Sequence, residues 1–66
     1  MSLKVERIKK NFTQSKLSEL SNVSITTISR IEKWGLLKAD VKFSNLIKLA
    51  KALDITIEEL IKDQEV

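Results

Sequence analysis

Three segments of this chain open in the same way, and together they restrict it to short helices. In each, an apolar residue precedes a Ser or Thr, and a second apolar residue follows five places after the first. The sets are Phe12-Thr13 with Leu17, Val23-Ser24 with Ile28, and Ile55-Thr56 with Leu60. A hydroxyl at such a position accepts from an early backbone N–H, and the flanking apolar pair staples the entering chain to the first turn. Glu59, three places after Thr56, completes a capping box.

These starts divide the chain into helices over about Leu3–Lys10, Gln14–Ser21, Ile25–Trp34, Val41–Leu53 and Ile57–Gln64. The spacing places Val5, Ile8 and Phe12 on one face of the first helix. It places Phe43, Leu46, Ala50 and Leu53 inward on the fourth. Gly35, the only glycine, is suited to a left-handed end after the third helix. Asn22 and Asp54 fall at helix ends, where a positive φ is expected and both residue types tolerate it. No strand alternation, repeat or low-complexity segment is present. The fold class is all-α, in one domain spanning residues 1–66.

Composition closes off several alternatives. The 66 residues include no cysteine, histidine or proline, which excludes a disulfide framework and leaves no thiol or imidazole for a metal. No catalytic residue is identified: there is no convergent carboxylate pair and no glycine-rich phosphate loop, so neither an enzyme nor a cofactor is expected. No apolar run is long enough for a membrane span or a signal peptide, and the expectation is a cytoplasmic protein. The net charge of +3 hides an asymmetry. Residues 1–53 carry eleven Lys/Arg against four acids, a net +7, while residues 54–66 carry five acids against Lys62, a net −4. A basic body suits a polyanion, and the acidic end is expected to point away from it.

Residues 14–33, QSKLSELSNVSITTISRIEK, place Leu17 fourth, Ser18 fifth, Asn22 ninth, Val23 tenth, Ile28 fifteenth and Ile31 eighteenth. This spacing fits two short helices joined by a tight turn, the unit that lays its second helix in the DNA major groove. Here the chain resembles the Cro/cI-type (xenobiotic-response-element) helix-turn-helix family of phage repressors and small bacterial regulators. Thr13-Gln14 before Leu17-Ser18 is similar to that family's second-helix opening, and Ile28-Ser29-Arg30-Ile31-Glu32 to its third-helix ending. Leu46–Leu53 followed by Asp54–Leu60 resembles its last two helices. The resemblance implies a compact five-helix, lambda-repressor-like domain that binds double-stranded DNA. The chain departs from the pattern in having Asn22 for the usual Gly, Ser18 for the usual Ala, and a longer segment between Lys33 and Lys42.

The resemblance places Gln14 against the DNA backbone, where the free N–H groups of a helix start suit a phosphate; Thr13 lies beside it. The third helix then becomes the reading helix, with Ser24, Ile25, Thr26, Thr27, Ser29 and Arg30 exposed. The Arg30 fork matches guanine O6 and N7. Ile25 and the Thr26 methyl suit thymine methyl groups, and hydroxyls suit either base edge or phosphate. Lys33, Lys38 and Lys42 stand where the family touches flanking phosphates. The resemblance also pairs Arg7 with Glu32, a structural ion pair locking the first helix to the end of the third.

A single reading helix covers few base pairs, so a homodimer on two half-sites is the expected arrangement. Trp34, Leu36 and Leu37, apolar residues in an expected loop, with Ile57 and Ile61 of the last helix, are the candidate dimer interface. The favoured function is a sequence-specific transcriptional regulator, a repressor without an attached sensor domain. The alternative is an antitoxin-like module that binds DNA with a protein partner. Glu32–Lys38 also resembles the segment after the reading helix of mercury-resistance-type winged regulators, but no room is left for a wing.

Overall fold

The computed structural model describes residues 3–62, apart from the side chains of Leu37, Lys38 and Lys62. Five helices follow the chain: α1 Leu3–Lys9, α2 Gln14–Ser21, α3 Ile25–Ala39, α4 Phe43–Leu53 and α5 Ile57–Lys62. No strand, and hence no wing, forms among the described residues. The expected end of α5 at Gln64 lies outside them.

The corners between helices share one device. Asn11, Asn22, Asp40 and Asp54 have φ of 60, 61, 53 and 57°, the left-handed conformation that Asn and Asp adopt more readily than other non-glycine residues. Each is followed by an apolar residue, Phe12, Val23, Val41 or Ile55, that packs on the core. After α1, the Phe12 N–H donates to the Arg7 carbonyl and the Asn11 N–H to the Ile8 carbonyl. After α4, the Ile55 N–H donates to Ala50 and the Asp54 N–H to Lys51. Both are Schellman closures, which use up carbonyls that a helix end otherwise leaves without donors. Asn22 and Asp54 match the sequence expectation; Asn11 and Asp40 extend it.

The N-caps form as their hydroxyls predict. Thr13 Oγ1 accepts from the Lys16 N–H at 3.0 Å, and Ser24 Oγ from the Thr27 N–H at 3.2 Å. At α5 the capping box is reciprocal: the Glu59 N–H donates to Thr56 Oγ1 at 3.0 Å, and the Thr56 N–H to Glu59 Oε1 at 3.3 Å. Lys42 caps α4 without a side-chain bond.

The core is built from Leu3, Leu17, Val23, Ile28, Ile31, Leu36, Leu49, Ala50, Leu53 and Leu60. Helix α2 packs on both α3 and α4, α1 packs on α3, and α5 on α4. Of the face carrying Val5, Ile8 and Phe12, Phe12 packs on the core, and one residue expected inward on α4, Phe43, is corrected. Val5 and Ile8 are exposed, and α1 instead buries Leu3. Leu3 and Arg7, four residues apart, share a helix face, so seating Leu3 in the core also turns Arg7 toward α3. Phe43 is 62% exposed, and Val41, just before α4, packs on the core instead. Leu46, Ala50 and Leu53 do face inward, joined by Leu49.

The largest departure is at Gly35. Its φ of 87° and ψ of 165° interrupt α3 in a region essentially closed to residues with a Cβ. The chain does not become a loop there but resumes a short helical turn through Ala39. This break turns Leu36 into the core, where it is 8% exposed.

Candidate nucleic-acid interface

The turn between α2 and α3 is closed by the side chains that distinguish it. The Asn22 N–H donates to the Ser18 carbonyl at 2.8 Å, and Ser18 Oγ donates to the Val23 carbonyl at 2.6 Å. Ser21, buried beside them, donates to the Leu17 carbonyl at 2.7 Å and accepts from the Val23 N–H at 3.2 Å. The hydroxyl brought in by Ser18 is thereby satisfied, and it fixes the residue from which α3 departs. Leu17, Val23, Ile28 and Ile31 lie beneath as scaffold.

Behind this unit stands a polar cluster that joins three segments. Arg7 Nε donates to Glu32 Oε2 at 2.7 Å and Arg7 Nη2 to Glu32 Oε1 at 3.1 Å, a bidentate pair with side chains 12% and 6% exposed. Arg7 Nη1 donates to the Phe12 carbonyl at 2.7 Å. Gln14 Nε2 donates to Glu32 Oε1 at 3.1 Å. Glu32 therefore accepts from both α1 and the start of α2. Its negative charge, unfavourable near a polyanion if left bare, is matched by a guanidinium and largely withdrawn from solvent.

The side chains of α3 divide cleanly. Ile28 and Ile31 are buried, while Ser24, Ile25, Thr26, Ser29, Arg30, Lys33 and Trp34 are exposed and Thr27 is half-buried. Ser24 Oγ also donates to Thr27 Oγ1 at 2.9 Å, so this hydroxyl pair is engaged in the cap. An open groove of about 450 Å³ is lined by Gln14, Ile25, Thr26, Ser29, Arg30, Lys33 and Trp34. Arg30 makes no ion pair or hydrogen bond among the described residues, which leaves its planar fork available. Lys33 Nζ lies 5.5 Å from the centre of the Trp34 ring, a cation–π contact.

Gln14 opens α2, where the first amides lack helical acceptors. Its side-chain amide carries two donors, and the bond to Glu32 uses one and fixes the group at the groove's edge. Thr13 Oγ1 is occupied as a cap. Lys42 is exposed at the start of α4, and the Lys38 side chain lies outside the described residues.

Of the residues expected at a dimer interface, Leu36 is corrected: the Gly35 break buries it, and it offers no surface to a partner. Ile57 is half-buried against the core, Ile61 is 38% exposed, and Leu37's side chain lies outside the described residues. Trp34 is exposed, but it lines the groove with Arg30. Two features were missed in the sequence, the Gln14–Glu32 bond and the membership of Trp34 in the groove. The second had a signal, since Thr26, Arg30 and Trp34 recur every four residues along one helix face.

A compact set of helices with a closed turn between α2 and α3, and a free polar face on α3, defines a helix-turn-helix protein. The family model for Helix-turn-helix matches residues 3–60, and the chain belongs to this DNA-binding family, in its XRE (Cro/cI-like) type. No curated protein and no solved structure matches the chain. No helix among the described residues is long and apolar enough to cross a membrane.

Proposed function

We propose that this chain is a sequence-specific transcriptional regulator, a repressor that binds double-stranded DNA as a homodimer with α3 in the major groove. The observation that carries this reading is the division of α3. Its apolar face is sunk in the core and its end is pinned by Arg7 through Glu32, while Ile25, Thr26, Ser29 and Arg30 stand free beside a helix N-terminus suited to phosphate. Arg30 supplies the strongest base discrimination, toward guanine. Ile25 and Thr26 favour thymine methyl groups. Thr13, Ser24 and Thr27 take the lesser role of fixing the helix starts beside the backbone. Lys33 and Lys42, with Lys38, add a sequence-independent and salt-dependent attraction. Such a regulator acts in the cytoplasm, where its DNA lies.

Dimerisation supplies the second reading helix. With Leu36 in the core, α5 stays a candidate surface for it, where exposed Ile61 follows half-buried Ile57. Selection of bound duplexes from a random pool tests the reading. Enrichment of a palindrome whose half-sites lie about one helical turn apart supports it. Failure to enrich any sequence, with binding lost in modest salt, overturns it.

A further inference from the structure

We infer that Trp34 is a DNA-backbone contact at the wall of the major groove rather than part of an interface between copies of the chain. This rests on the DNA-binding reading above. Ile25 and Trp34 are nine residues apart in α3, which at 1.5 Å per residue separates them by about 13–14 Å along the axis. A reading helix presents its N-terminal residues to the base edges. With Ile25 and Thr26 there, a residue that far along the helix stands beyond those bases, on the side of the flanking sugar–phosphate backbone.

The chemistry of the position agrees with that placement. Trp34 is 50% exposed and shares the groove with Arg30 and Lys33. The Lys33 ammonium, 5.5 Å from the ring centre, holds a positive charge against the indole, so the pair presents a cation and an apolar plate together. The indole N–H is a donor with no acceptor function, which suits a phosphate oxygen, and the ring face suits a deoxyribose. A phosphate brings the charge opposite to that of Lys33 and Arg30. Gln14, held by Glu32, lines the same groove.

Trp34 is the sole tryptophan, so emission from the full chain reports on it alone. The test titrates the chain with a fluorescein-labelled duplex of about two helical turns at low salt, where even non-specific binding is measurable. It follows label anisotropy and acrylamide quenching of Trp34 together. The expected result is a rise in anisotropy accompanied by a fall in quenching of about twofold or more, since the residue is 50% exposed beforehand. Trp34→Ala is expected to weaken binding roughly tenfold on every sequence, with the helical circular dichroism unchanged, as for loss of an aromatic anchor. Trp34→Phe, which keeps a ring but not the N–H, falls between. A rise in anisotropy with unchanged quenching overturns the inference and leaves the DNA reading standing. Quenching that falls with protein concentration before DNA is added overturns it in favour of a second copy. No rise in anisotropy with any duplex refutes the DNA reading itself, and the Trp34 contact with it.

Discussion

The Arg7 guanidinium meets the Glu32 carboxylate along two hydrogen bonds of 2.7 and 3.1 Å, across 25 residues of sequence. The pair is nearly dry, and its other bonds reach the end of α1 and the start of α2. Removing one partner of such a pair leaves the other charge buried and unmatched. Glu32→Gln or Arg7→Met is expected to lower stability by about 3 kcal/mol, whereas the double variant Arg7→Met/Glu32→Leu recovers most of that loss. Urea unfolding of the three variants checks it. If the pair also fixes the angle of α3, the double variant binds DNA more weakly while remaining folded; equal affinity would reduce the pair to a stabilising contact only.

Gly35 occupies backbone space that a Cβ closes. Gly35→Ala is expected to cost about 1–3 kcal/mol. For a domain of this length each kcal/mol lowers Tm by about 4–8 °C, so thermal melting reads the effect directly. A change below 2 °C would show that the turn after Trp34 accommodates a side chain.

Arg30 and Lys33 are neighbours on one exposed face, and the proposed function gives them different roles. Arg30→Ala is expected to relax preference at one base pair by about 1–3 kcal/mol, leaving the other positions of the site as selective as before. Lys33→Ala is expected to weaken all sequences alike and to reduce the salt slope of binding by about one. Affinity measured on a panel of single-base variants, at several salt concentrations, separates the two patterns.

Leu36 and Ile61 were candidates for the same interface, and burial separates them. Leu36→Ala is expected to destabilise the fold by about 2–5 kcal/mol, as core truncations of leucine do. Ile61→Asp is expected to leave the monomer fold within about 1 kcal/mol of wild type, since Ile61 is already partly in solvent. The same variant shifts the sedimentation profile toward monomer if α5 is the dimer surface; an unshifted profile removes α5 from that role.

Local rules carried most of the fold. The hydroxyl caps at Thr13, Ser24 and Thr56 mark helix starts because their partners lie three residues away, within reach of short-range reasoning. Asn11 and Asp40 carry the same signal as Asn22 and Asp54, each standing directly before an apolar residue. Gly35 was harder. A glycine signals that φ can turn positive, but not whether the chain then leaves the helix or resumes it, and that choice decides where Leu36 goes. The exposure of Val5, Ile8 and Phe43 depended on how α1 and the first turn of α4 were seated, which is settled between helices rather than within them. The site divided in the same manner. The exposed residues of α3 follow from spacing, whereas the bond from Gln14 to Glu32 closes a distance that the sequence alone does not show.

The partition of α3 into a sunken side and a free side has a consequence for how such a protein changes over time. Ile28 and Ile31 belong to the packing, and Glu32 to the tie with Arg7, so each answers to the rest of the molecule. Ile25, Thr26, Ser29 and Arg30 answer only to what lies outside it. Substitutions at those four places can accumulate with little disturbance of the scaffold, so under the proposed function the address can be rewritten while the reader stays the same.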